Sequence, residues 1–299
     1  VERWWRALEA EPRAALESGL APTDLQSLLL EVTRARAGRV TPARVARRWR
    51  DDRFVRPAAA DPRVLARVEG RLWELLPERF AGVELSPVAP LGTCSAVGPV
   101  DQNRVVSTVR GTEVLSDPTN ALAVEAAVRR AEQPRAGRVD LATCHRVLRA
   151  QVFGPGHSAH FRLFALVSSA RDRGAGRVQA AVLADHLGFW DRVLGELPAS
   201  RQPWLTVTAL GASAVAERIA DTVRPAITGV ELRADPGRTH GAGYYRDVAV
   251  GLRALDDGRE VDLGDGGVTD WTARLLGDAK ERCVISCVAT ERLAALQAG

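Results

Sequence analysis

The hydrophobic positions change rhythm once along the chain. Up to about Pro77 they recur at helical spacing; beyond it they fall into short β-prone runs broken by turns. In the first part, WWRALEAEPRAALESGL is amphipathic with Gly19 as its stop, and DLQSLLLEVTRARAG follows with Thr23 and Asp24 as caps and ends at Gly38. TPARVARRWR has Thr41 as N-cap and Pro42 at the first helical position, and DPRVLARVEGRLWELLP repeats that start with Asp61 and Pro62.

The second part alternates strand-like runs (VELSPVAP, RVVSTVRGTEVLS, LATCHRVLRAQVF, HFRLFALVSSA, PWLTVTAL, AGYYRDVAVGLRAL, REVDLGDG, RCVISCVA) with helical ones (ALAVEAAVRRAEQ, RVQAAVLADHLGFWDRVLGEL, ASAVAERIADTVRPAI, TDWTARLLGDA). Strand pairs with local returns, rather than regular β-α-β alternation, predict an α+β fold: a largely antiparallel sheet flanked by helices. The pattern divides the chain into an arginine-rich helical region, residues 1–75, and a mixed domain, residues 76–299. GDGG reads as a tight turn or as a close backbone approach, two alternatives the pattern leaves open.

Composition narrows the function. With 46% hydrophobic and 26% charged residues over 299 positions, the chain can bury a real core. No apolar run reaches the roughly 18 residues a membrane span needs, and no leader pattern is visible, so the expected location is the cytoplasm. Cys94, Cys144, Cys283 and Cys287 lack zinc-ribbon spacing and read as buried thiols. Cys144 and His145 are adjacent on a strand, point to opposite faces and cannot pair as nucleophile and base. The net charge is +4, yet nine arginines crowd positions 34–56 with Trp49 and Phe54 among them. That stretch is either a phosphate-binding surface or a solvated face offset by Asp51 and Asp52.

The candidate chemistry centres on HRVLRAQVFGPGHSAHFRLF, His145 to Phe164. An arginine, any residue, an acid or amide, a turn-rich loop and then a polar residue before phenylalanine resembles motif 2 of class II aminoacyl-tRNA synthetases. The resemblance implies an ATP site on two antiparallel strands: Arg149 at the α-phosphate, Gln151 reading the adenine amino group, His157 near the γ-phosphate and Phe161 stacked on adenine. HGAGYYRDVAV, GDGGVTDWTARLLG and CVISCVATERLAAL follow in order and resemble segments of the histidyl branch, the last resembling motif 3 with Arg292 on adenine or the γ-phosphate. VLSDPTNALAVEAA and ELSPVAP are similar to its substrate-binding segment and to motif 1. The likeness runs from about Leu76 to the C-terminus. It implies a cytoplasmic homodimer, ATP accompanied by Mg2+, and a catalytic pair of Arg149 and His240.

Departures from that family fall on the positions that would recognise the amino acid. The ammonium-binding glutamate aligns with Thr119 and a nearby threonine with Ala121; Leu163 and Val167 replace polar residues on the second motif 2 strand; His240 replaces an arginine, Ala289 the glycine of motif 3, and Gln151 a carboxylate. The substrate pocket expected from the alignment is formed by Thr119, Leu163, Val167, Tyr244, Gly266 and Gly267, with Tyr244 rather than Tyr245 facing it. Such a pocket offers a desolvated ammonium little and suits a smaller or more apolar acid. No metal ligand is assigned: Glu281, Asp278 and Glu291 read as helix-surface acids. Nothing after motif 3 corresponds to an anticodon-binding domain, so ordinary histidyl-tRNA charging is not expected. The resemblance leaves three functions: an enzyme that adenylates a small amino or carboxylic acid and passes it to an RNA or protein acceptor, a non-catalytic dimeric regulatory module, or an RNA-binding protein.

Overall fold

The computed structural model describes residues 11–133, 137–154, 158–239, 241 and 243–298. A short helical turn, α1 (Glu11–Ala14), leads through a π turn into α2 (Pro22–Ala37), α3 (Pro42–Asp51) and α4 (Pro62–Leu75). Two of the predicted caps form: the Thr41 side chain accepts from the Arg44 N–H and the Asp61 carboxylate from the Arg63 N–H, each with proline in the first turn; the cap expected at Thr23 and Asp24 does not, because α2 already starts at Pro22, behind Ala21, with no side-chain cap bond. Helices α2 and α3 bury no residue, whereas α4 sinks Leu65, Val68 and Leu72 into the main core. Helix α4 thus packs with the main core through its apolar stripe, while α2 and α3 lie outside it.

The centre is an eight-stranded sheet. Its strands are β1 (Ala81–Gly82), β4 (Arg138–Leu148), β5 (His160–Arg171), β6 (Trp204–Ala209), β7 (Glu231–Ala234), β8 (Arg246–Asp256), β9 (Arg259–Thr269) and β10 (Glu281–Ala289). They lie in the order β1-β4-β5-β10-β9-β8-β6-β7, antiparallel except where β1 meets β4 and β6 meets β7 at the two margins. The remaining pair, β2 (Val88–Pro90) and β3 (Thr112–Val114), forms a separate ribbon. Helix α5 (Thr93–Val97) joins the two strands of this ribbon, and α6 (Pro118–Glu132), α7 (Arg177–Gly195), α8 (Trp271–Leu276) and α9 (Thr290–Ala298) complete the chain. This is the α+β class read from the sequence. The stretch from Ala216 to Ala226 is a chain of 3-10 and π turns instead of the helix its spacing suggested, since Pro225 removes a donor and β-branched Ile219, Thr222 and Val223 crowd the turns.

Alternation along the strands gives the sheet two different faces. On one, Phe164 and Leu166 of β5 meet α7 and α4 in the larger core. On the other, Leu141, Ala165, Val167 and Ile285 meet α6 and Trp271 in a second core. Under α7 the larger core hides a directed chain of hydrogen bonds. Ser168 gives its only proton to Asp140, so its oxygen must accept from Nε2 of His186 at 2.9 Å. Nδ1 of His186 then accepts from Ser286 at 2.9 Å, and Ser286 accepts from the Trp190 indole at 2.8 Å. Only a neutral imidazole satisfies every partner. Burial, followed by the charges of Arg138 and Arg79, holds His186 well below its ordinary 6.5. Across the sheet, Arg130 of α6 grips Glu281 of β10 at 2.7 Å with both side chains at most 5% exposed.

Two outcomes follow. Glu281→Ala strands a buried guanidinium and is expected to lower unfolding stability in urea by about 3–5 kcal/mol, while the apolar double variant Arg130→Met/Glu281→Leu recovers most of it. Below pH ~6.5 the unfolded chain protonates His186 but the native state does not, so the unfolded state binds more protons and stability falls by up to ~1.4 kcal/mol per pH unit. His145, also lowered mainly by burial, acts in the same direction. A urea midpoint that stays flat between pH 7.5 and 5.5 contradicts this.

Candidate functional site

Three rows of side chains cross the sheet on the α6 side. Register pairs Leu163 with Ala289 in the first row, Ala165 with Cys287 and Asp265 in the second, and Val167 with Ile285 and Gly267 in the third. Successive rows stand two residues apart, about 6.6 Å along the strands. The first two floor an open cleft; the third runs beneath α6, with Val167 sealed there and Ile285 reaching the edge of the cleft. Two adjoining cavities occupy the cleft, one of about 640 Å³ and one of about 410 Å³, and Arg149, Asp265 and Cys287 border both.

Arg149 stands just beyond β4. Its backbone N–H donates to the Ala159 carbonyl at 2.8 Å and closes the hairpin with β5. Its Nε donates to the Ser116 carbonyl at 2.9 Å, which leaves the guanidinium plane 5.1 Å above the Phe161 ring and 3.9 Å from Asp117. A fork so placed faces both cavities with donors to spare. The larger cavity adds Phe153, Leu163, Ala289 and Arg292, and its wall includes Ala58 to Ala60 from the segment between α3 and α4. Arg292 donates to the Asp262 carbonyl at the rim.

The smaller cavity is polar. Asp117 caps α6, its Oδ1 accepting from the Thr119 N–H at 2.9 Å and from the Thr119 hydroxyl at 2.7 Å, while Oδ2 accepts from the Tyr244 hydroxyl at 3.0 Å. Asp265 faces Arg238 at 3.0 Å, whose side chain is 1% exposed. Burial raises the Asp265 carboxyl above its ordinary 3.8, Arg238 opposes the rise, and Asp262 adds to it. Arg104 and Gln151 complete the wall. The Cys287 thiol sits in the floor, pushed well above its ordinary value by burial and then by Asp265 and Asp117, so it is protonated at neutral pH and is no nucleophile.

The larger cavity brings Arg149, Phe161 and Arg292 together. Gln151 lies on the wall of the smaller cavity, apart from Phe161 and Arg292. Thr119 and Tyr244 border the smaller cavity, joined there by Tyr245, because β8 begins only at Arg246 and the two tyrosines do not alternate as strand neighbours would. Leu163 belongs to the larger cavity. Val167, Gly266 and Gly267 line neither: Val167 is sealed under α6, the open side of Gly266 faces Ile285 and Ser286, and the Tyr245 ring fills the space beside Gly267. GDGG is mid-strand and makes no turn. His157 and His240 lie outside the described residues.

Asp117 and Asp265, which the motif positions do not single out, place two carboxylates on the wall of the smaller cavity. Each carried a signal: Asp117 precedes Pro118 as a helix cap, and Asp265 is the acid in a glycine-rich strand. Glu281 and Asp278, considered for a metal, are held by Arg130 and Arg171 away from the cleft, and Glu291 faces Arg146 at 3.1 Å. No group of three His, Cys, Asp or Glu among the described residues can hold a metal. No described helix is long and apolar enough to cross a membrane.

No family model matches the chain, and no curated protein does. Solved structures do. The chain superposes on apo histidyl-tRNA synthetase of S. aureus with a TM-score of 0.61 at 17% identity, over 81% of this chain and 69% of that one. An ATP phosphoribosyltransferase regulatory subunit/histidyl-tRNA synthetase from Bacillus halodurans C gives 0.59 at 12% identity, over 82% and 83%. Pyrrolysyl-tRNA synthetase from Desulfitobacterium hafniense gives 0.51 at 14%, over 86% and 75%. The chain therefore carries the class II synthetase core fold.

Where Gly267 lies, a Cβ would stand 2.5 Å from the Val248 carbonyl oxygen and 2.8 Å from the Tyr245 ring. Gly267→Ala is expected to destabilise the protein by about 1–3 kcal/mol and to perturb tyrosine fluorescence; an unchanged melting temperature counts against this packing.

Proposed function

We propose that the chain binds ATP in the larger cavity and a small amino acid in the smaller one, and joins them as an aminoacyl adenylate. The observation that carries this reading is that both cavities share Arg149. An oxygen of the substrate carboxylate attacks the α-phosphorus; the bond from that phosphorus to the bridging oxygen breaks, and pyrophosphate leaves with the electron pair. Arg149 neutralises the charge that gathers on the α-phosphoryl oxygens, a term that is large in a partly enclosed site. Phe161 offers a face to the base, and Arg292 stands at the rim for the outer phosphates.

The smaller cavity supports a zwitterion as substrate. Asp117 faces a cationic ammonium, beside Asp265 that Arg238 already pairs, while Arg104 and Arg149 face the carboxylate. The residues present do not form a site for Mg2+: Asp262, Asp265 and Glu291 at the larger cavity each already face a guanidinium, from Arg253, Arg238 and Arg146. Any Mg2+ would come with the triphosphate, and no step above runs through it. The homodimer belongs to the same reading, supported by Leu91, which follows β2 and is 53% exposed beside the motif 1 prolines.

Isothermal titration calorimetry with ATP and Mg2+ tests the nucleotide half. Arg149→Ala is expected to weaken binding at least ~tenfold. Pyrophosphate exchange across a panel of amino acids tests the other half, with Asp117→Asn losing exchange while ATP binding persists. No heat at millimolar ATP in the unaltered protein overturns the reading and favours a non-catalytic module.

A further inference from the structure

We propose that α3 and the turn leading into it are a docking surface for single-stranded nucleic acid. Elsewhere in the described chain many arginines are answered by carboxylates, among them Arg71 by Glu196, Arg79 by Asp185, Arg130 by Glu281 and Arg171 by Asp278, and those that are not include Arg67, Arg110 and Arg259, which lie far apart along the chain. The arm differs. Among the described residues, the side chains of Arg34, Arg36, Arg39, Arg44, Arg47 and Arg50 have neither a hydrogen-bond nor an ion-pair partner, and between positions 34 and 50 only Arg48 is paired, to Asp52. Repulsion among so many unanswered cations is relieved by an anion, and a chain of phosphates supplies one charge after another. Arg44 and Arg47 stand three residues apart on one helix face, close enough to track one strand.

The apolar content of the arm selects the partner. Trp49 is 55% exposed and Val45 54%, whereas Trp190 and Trp271 are sealed. Trp49, between Arg48 and Arg50 in the chain and on the side of α3 that carries Val45 and Arg50, is an open indole that can stack on a base. On α3 only Val45 and Trp49 are large apolar side chains open to solvent, a short stripe for burial in a bilayer.

The arm also ends at the cleft. Just past α3, Arg53 donates to the carbonyls of Ala150 and Gln151, the two residues after Arg149, and the Arg56 carbonyl accepts from His160 at 2.6 Å. From there Ala58 to Ala60 wall the larger cavity. A strand lying on α3 is thus held at the cavity rim, whether or not the cleft takes ATP.

Fluorescence anisotropy with an oligouridine of about 20 nucleotides, read at several salt concentrations, tests this. The full chain is expected to bind, with affinity falling as salt rises. Arg44→Gln/Arg47→Gln/Arg50→Gln weakens binding at least ~tenfold at low salt and lowers the logarithmic salt slope by about 2. Trp49→Ala weakens binding several-fold and leaves the slope in place. Because α3 buries nothing, both variants keep the melting temperature of the parent. Absence of binding at low salt, a triple variant that binds as the parent does, tighter binding of a duplex of the same length, or preference for phosphatidylserine vesicles each overturns the proposal.

Discussion

One carboxylate organises the front of this molecule. Asp117 ends the backbone run from β3, caps α6, holds the Tyr244 hydroxyl and stands within reach of Arg149. These tasks belong to different parts of the fold: α6 roofs the second core, Tyr244 leads into β8, and Arg149 closes the β4–β5 hairpin. A single anion therefore ties helix, strand and hairpin loop to one point. Its charge is partly spent on the cap and the phenol, and what remains faces the smaller cavity, where Asp265 supplies the second negative wall.

The two faces of the sheet divide the labour. Behind it, His186 is committed to one tautomer by partners that each have a single proton to give, and such a network specifies one arrangement of β5, β10 and α7. In front, the rows beyond α6 are open, and the groups there are held from their edges: Arg149 by the Ser116 carbonyl, Asp265 by Arg238. A stiff back and an edge-braced front suit a site in which arginine and carboxylate positions must persist while ligands come and go.

Much of this was legible in the sequence. Caps at Thr41 and Asp61, strand alternation in β4 and β5, and the spacing of Arg149, Phe161 and Arg292 all correspond to what the structure places. What the sequence hid was register. Leu163 and Val167 share a face by alternation, yet one borders a cavity and the other is sealed, because only the pairing with β10 decides which row α6 covers. Gln151 was assigned by motif position, but the backbone turns after Arg149, pinned by Arg53, and its side chain reaches the other cavity. Asp265 gains its meaning from Cys287 opposite and Arg238, 27 residues earlier, a relation no local pattern contains.

The margins of the sheet have a consequence of their own. β1 contributes two residues and β7 four, and β7 alternates Glu231 and Arg233 toward solvent. A margin as short and as charged as β7 offers almost no free ladder to an incoming chain. Five long antiparallel strands with apolar faces would otherwise be a template for amyloid-like growth; here the polymerisable edge is blunted on the β7 side.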